Sequence, residues 1–112
     1  RRKQLASFVP PIVVRASQAD TDGVRECLAL GYDVDAPAPL EEGGWTALQI
    51  VAHAARSFPE DAVLATVDVL LDAGANVNSS NAKGLMPLHI AVEIDSKGLV
   101  QKLIARGADV NA

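Results

Sequence analysis

The sequence predicts an all-α protein, a solenoid of about three helix-turn-helix repeats, and three observations predict it. A glycine turn opening into a short helix occurs twice, as Gly44-Trp45-Thr46-Ala47-Leu48 and as Gly84-Leu85-Met86-Pro87-Leu88. The glycines that end later helices, Gly74 and Gly107, are 33 residues apart, and so are Asn78 and Asn111. The apolar content of 49% is dominated by Ala, Val and Leu, with aromatics at only 4%, which suits thin helices packed closely. A unit this short cannot bury its apolar face alone, so it needs a similar neighbour.

In chain order, residues 1–10 read as an N-terminal tail or the end of a preceding element. Pro10-Pro11 stops an incoming helix, and Pro11 can open a new one, since a missing N–H costs nothing there. That helix runs from Ile12 to about Gln18. The turn cluster Ala19 to Gly23 carries N-cap chemistry and leads to a second helix ending near Leu30, with Val24, Leu28 and Cys27 or Ala29 as its apolar stripe. Gly31 is placed to terminate it in a left-handed conformation. Tyr32 to Ala36 is extended, and Pro37 to Gly43 is a loop.

The unit then recurs. A helix follows Gly44 and continues to about Ala55. Arg56-Ser57-Phe58-Pro59 is a break. Glu60-Asp61 begin a helix reaching about Ala73, where acidic residues suit the macrodipole. Val63, Val67, Leu70 and Leu71 form one side of it. The third copy has a helix from Pro87 to about Glu93, a break at Asp95 to Gly98, and a helix from about Leu99 to Ala105. The glycines Gly44 and Gly84 are 40 apart, and the surplus over the 33 of the closing glycines fits a longer break between Ala55 and Val63.

A 112-residue chain is enough for one small domain. The formal net charge is −4, with Arg1, Arg2, Lys3 and Arg15 at the start. From residue 16 onward six basic residues stand against fourteen acidic ones, a net −8. An acidic body is a poor match for phosphate backbones and anionic lipid, so neither nucleic acid nor a membrane surface is expected as a partner. No uncharged apolar run approaches the ~18 residues of a membrane span. With Cys27 as the single cysteine no internal disulfide can form, in keeping with an intracellular setting, cytoplasmic or nuclear. The start at Arg1 suggests a piece of a longer repeat array or multidomain protein.

The repeat motifs carry a family resemblance. Met86-Pro87-Leu88-His89-Ile90-Ala91 and Thr46-Ala47-Leu48-Gln49-Ile50-Val51 are two versions of a T-P-L-H-x-A pattern. The helix endings Val69-Leu70-Leu71-Asp72-Ala73-Gly74-Ala75-Asn76-Val77-Asn78 and Lys102-Leu103-Ile104-Ala105-Arg106-Gly107-Ala108-Asp109-Val110-Asn111 match in register, and Cys27 to Ala36 is a looser third. The chain resembles the ankyrin-repeat family from about Pro11 to Ala112, with repeats at about 11–43, 44–83 and 84–112. The resemblance implies stacked antiparallel helix pairs with β-hairpin-like fingers along one edge, and a concave face of fingers and first helices. Four positions depart from the pattern. Met86 replaces Thr and removes a hydroxyl from the turn, Ala47 replaces Pro, Gln49 replaces His, and Val13 stands at the histidine position of the first copy.

Catalysis has little material. Cys27 lies in a helical stripe and reads as a small core residue. His89 reads as structural, its ring bonded to nearby backbone. His53, late in a first helix, lies where the family's binding face is. Two histidines and one cysteine far apart make no zinc signature, and there is no phosphate loop or serine elbow. No cofactor, metal or small-molecule ligand is expected, and the chain is not read as an enzyme. The pairs Glu41-Glu42 and Glu60-Asp61 read as a solvated loop and a helix start.

Trp45, directly after the turn glycine, is the residue to single out. The resemblance places that position toward partners, and tryptophan is enriched in binding hot spots; packing on the Pro37–Leu40 loop is the competing reading. Leu85 holds the matching place in the next finger. Trp45 and Leu85 side by side would form an apolar strip bordered by Glu41, Glu42 and Lys83, extended by Ile94. The reading is a non-catalytic protein–protein interaction module presenting Trp45, Lys83, Leu85, His53, Glu93, Ile94, Glu41 and Glu42 to a protein with a basic surface. The alternative is a structural or regulatory spacer packed against other domains of a larger enzyme or channel.

Overall fold

The computed structural model describes residues 9–40 and 43–109. Among the described residues there are six helices in three pairs: α1 (Pro11–Ser17) with α2 (Thr21–Ala29), α3 (Ala47–Ala54) with α4 (Glu60–Asp72), and α5 (Pro87–Glu93) with α6 (Lys97–Ala105). The first helices pack in a row, α1 on α3 and α3 on α5, and the second helices in a parallel row, α2 on α4 and α4 on α6. The result is a two-layered stack measuring 42 × 28 × 25 Å.

The core runs through the stack between the two rows. Ile12 and Val24 of the first pair, Leu48, Val51, Val63, Val67 and Leu70 of the second, and Leu99 and Leu103 of the third are fully buried. Each such side chain contributes about 1.5–3 kcal/mol on burial. Cys27 is buried in this core, as its place in the stripe predicts.

Local chemistry sets the helix ends. Asp20 caps α2 by accepting the Gly23 N–H at 3.0 Å. Gly31, Gly74 and Gly107 follow α2, α4 and α6 with φ of 94°, 94° and 101°, a region that costs any side-chain-bearing residue strain. Helix α4 has 13 residues against 9 in α2 and α6, which accounts for part of the longer second unit. Its added first residue reaches the next pair, where Ser96 Oγ donates to Glu60 Oε2 at 3.4 Å. The same carboxylate lies where a Cβ on Gly98 would fall, 2.8 Å from that ideal position. One boundary differs from the sequence expectation: α6 begins at Lys97 rather than near Leu99, its first turn closed by the Val100 N–H donating to the Ser96 carbonyl at 2.9 Å, with Gly98 inside it.

Hydrogen bonds recur in register between pairs. Asp35 Oδ1 accepts the Asn76 N–H at 3.1 Å, and Asn78 Oδ1 accepts the Asp109 N–H at 2.8 Å. Asp33 and Asn76 each fold a local turn by accepting the N–H two residues on, at 2.9 and 3.0 Å. Thr66, fully buried, donates to the Ala62 carbonyl at 2.8 Å and meets the Thr21 hydroxyl at 2.8 Å, joining α4 to α2. On the outer row Lys102 Nζ lies 2.8 Å from Asp68, and Arg106 reaches Asp68 at 3.5 Å and Asp72 at 2.9 Å.

The connections preceding α3 and α5 are the fingers. They are tight turns rather than strands among the described residues. Ala38 N donates to the Trp45 carbonyl at 2.8 Å, and Asn81 N to the Leu85 carbonyl at 3.0 Å. A bond from Ala82 N to the Gly43 carbonyl, at 2.9 Å, ties the two fingers together.

Candidate functional site

The face carried by α1, α3 and the first finger holds an aromatic pair beside an apolar groove. Thr46 ends the finger and caps α3. Its backbone N–H donates to Gln49 Oε1 at 2.9 Å, and the Gln49 N–H lies 3.5 Å from Thr46 Oγ1. Gln49 is fully buried, and its Nε2 also reaches Ser79 Oγ in the following finger at 3.3 Å. At the start of α5 the Met86 N–H donates to His89 Nδ1 at 3.2 Å. Gln49 therefore supplies the bond that a histidine makes in the next copy. Met86 lacks the hydroxyl half of the arrangement, as its side-chain chemistry requires. His89 is a structural residue in this geometry.

With the turn fixed in this way, Trp45 lies half-buried over the first-helix face. Its ring meets His53 edge-on, with centroids 5.7 Å apart and planes at 72°, a favourable aromatic arrangement. Gly43 passes directly beneath the indole, where a Cβ would fall 2.5 Å from the ring nitrogen. Trp45 also lines a shallow groove of about 250 Å³ with Val13, Val14, Ser17, Ala38 and Ile50. The Pro37–Leu40 loop thus meets the groove only through Ala38, and Leu40 points to solvent at 79% exposure.

The other sequence-predicted site residues are dispersed around this centre. His53 and Glu93 are exposed and Ser17 is half-buried at the corresponding place on the three first helices. Lys83 is exposed at the second finger. Leu85 and Ile94 are half-buried, and Leu85 packs against the edge of the core. Trp45 and His53 are the pair that the structure brings into contact. Glu41 and Glu42 lie outside the described residues. Sequence reasoning missed Val14 and Ile50, which line the groove. The signal available was their common place in the first helices, one residue beyond Val13 and Gln49.

This arrangement has the chemistry of a contact surface. Cys27 and His89 are separated from His53, and among the described residues no three His, Cys, Asp or Glu side chains come together to hold a metal ion. No helix among them is long and apolar enough to cross a membrane.

Residues 12–112 match the family model for ankyrin repeats in three copies. The chain belongs to the ankyrin-repeat family. Ankyrin repeats are generally non-catalytic protein-interaction modules, and the six-helix stack is the fold expected of three of them. Among similar proteins, the Neurogenic locus Notch protein of Drosophila melanogaster is 36% identical over 90 residues, 80% of this ankyrin chain and 3% of that protein. The RelA-associated inhibitor of Mus musculus is 30% identical over 111 residues, 99% of this chain and 13% of its own length. The ankyrin repeat protein YahD of Escherichia coli K12 is 29% identical over 99 residues, 88% of this chain and 44% of the relative. The chain spans less than half the length of each of these relatives.

Proposed function

We propose that this chain is an intracellular interaction module whose partner protein binds across the first helices and fingers, with Trp45 as the central anchor. The observation that carries the reading is the half-buried indole, held by Gly43 and His53 at the rim of an apolar groove. A large rigid side chain already packed on one face loses little freedom on binding, and its open face can be desolvated by a partner. Val14 and Ile50 supply apolar floor. Leu85, Lys83, Glu93 and Ile94 extend the contact along the stack. The net charge of −4 favours a partner with a basic surface, acting chiefly on association rate.

The test is site-specific photo-crosslinking in cells of the source organism, with the crosslinker at His53 or Leu85 on one face and at Glu26 on the opposite row. Capture from His53 and Leu85 and not from Glu26 is expected. Capture from Glu26 alone refutes the assignment. With the captured protein in hand, Trp45→Ala should weaken binding by about 2 kcal/mol, roughly 30-fold. Unchanged affinity in a folded variant removes Trp45 from the anchor role.

A further inference from the structure

The chain that leads into α1 departs from the rule of the other two copies. Val9-Pro10-Pro11-Ile12-Val13 stands in the register of Trp45-Thr46-Ala47-Leu48-Gln49 and Leu85-Met86-Pro87-Leu88-His89. In those copies the residue before Trp45 or Leu85 is a glycine, with φ of 63° at Gly44 and 79° at Gly84, and the turn of the finger depends on it. The residue before Val9 is Phe8, whose side chain opposes that conformation. Four residues before Leu85, Asn81 Oδ1 accepts the Lys83 and Leu85 N–H groups at 2.9 and 3.1 Å. Four residues before Val9 stands Leu5, which has no acceptor to offer. Turn chemistry is replaced here by two large apolar residues. The surface next to Val9 is open in a corresponding way. The residue after the histidine position is 2% exposed in the third copy (Ile90), half-buried in the second (Ile50) and 41% exposed in the first (Val14). Val14 and Ile50 line the Trp45 groove, and so does Val9, at the N-terminal end of α1. The described lining carries no charged side chain.

We propose that the segment Leu5 to Phe8 of this same chain occupies the Trp45 groove in the free protein, with Leu5 and Phe8 set against Val14 and Ile50, and that a partner binding there displaces it. Only the displacement rests on the reading of this groove as the partner's site. Phe8 is bonded directly to Val9, which is itself part of the lining. Leu5 lies at most about 10 Å of extended chain beyond Phe8, about the length of the seven-residue helix α1 that the groove follows. A segment tethered this closely meets the groove at an effective concentration on the order of 1 mM, so weak apolar contact fills it without a second molecule. The uncharged lining selects Leu5 and Phe8 and leaves Arg1, Arg2 and Lys3 at the surface. There they face a body with six basic and fourteen acidic residues from position 16 onward, an attraction that salt weakens.

Trp45 is the single tryptophan, so acrylamide quenching of its fluorescence reads the groove in the 112-residue chain with no partner present. Leu5→Ser combined with Phe8→Ser should raise the quenching constant about two-fold while the helical circular dichroism is unchanged. A synthetic peptide of residues 1–9, added at millimolar concentration, should restore the protection. A photo-crosslinker at position 8 of the otherwise unchanged chain is the second measurement, and it should join α1 or α3 within one molecule. Unchanged quenching, or crosslinks confined to α2, α4 and α6, overturns the proposal and leaves Trp45 free to serve as a partner's anchor. Crosslinks that form only between molecules assign the groove to a second copy and overturn it as well. With a captured partner in hand, the same two substitutions should tighten its binding several-fold, because the competent fraction of the chain rises. Unchanged or weaker binding overturns the displacement.

Discussion

Gln49 makes the most exacting test of how the finger is held. It is fully buried, accepts the N–H of buried Thr46 at 2.9 Å, and donates to Ser79 of the next finger at 3.3 Å. Gln49→Leu keeps the side-chain size but leaves the Thr46 N–H without an acceptor inside the protein. A buried donor left unsatisfied costs about 1–3 kcal/mol, offset in part by the more favourable burial of the leucine side chain. A net loss of about 1–2 kcal/mol is expected, which lowers the Tm of a domain this size by about 5 °C or more. Gln49→His restores the acceptor through Nδ1, as His89 does for Met86 at 3.2 Å, and gives up only the long bond to Ser79. Its cost should stay below about 1 kcal/mol. Urea unfolding measures both through the midpoint at an unchanged slope. If the leucine variant is as stable as the parent, or the histidine variant no better than the leucine one, the capping bond does not hold the finger.

Three further substitutions probe separate terms. Leu70→Ala, at a fully buried site, should cost about 2.7–5 kcal/mol by urea melting, a large share of the total stability of a small domain. Asp68→Asn removes the partly exposed carboxylate that faces Lys102 and Arg106; the loss should be under about 1 kcal/mol and should shrink in about 1 M salt. Asp95 holds a φ of 59° between α5 and α6, so Asp95→Gly should stabilise the fold by up to about 1 kcal/mol and raise the melting midpoint accordingly, and a lower midpoint would contradict the strain argument.

The helices and their closing glycines are legible in the sequence because their signals are local. Pro87 presets an early helical position, and Gly74 and Gly107 take conformations that other residues resist. The start of α6 is not legible, because Gly98 reads as a turn residue while Ser96 closes the first helical turn around it through its carbonyl. Trp45 and His53 both stand out as single residues, but their contact depends on how far the indole folds back along α3. Val14 and Ile50 look like core residues by spacing alone. Val14 is 41% exposed and Ile50 half-buried, so both line the groove beside Trp45 rather than filling the core. The equivalence of Gln49 and histidine is invisible in residue names and plain in the atoms, since each offers one acceptor to the same backbone N–H.

The acceptors that join successive pairs at the loop edge have a consequence for charge. Asp35 and Asn78 do the same work with one oxygen each, and each takes a backbone N–H of the following pair. A carboxylate and a carboxamide have nearly the same shape and both present that oxygen. Replacing one by the other therefore changes the electrical character of this edge without changing its scaffold. The edge can drift between acidic and neutral at its recurring positions while the spacing of the pairs stays fixed, so that surface potential and architecture are set by different atoms of the same side chains.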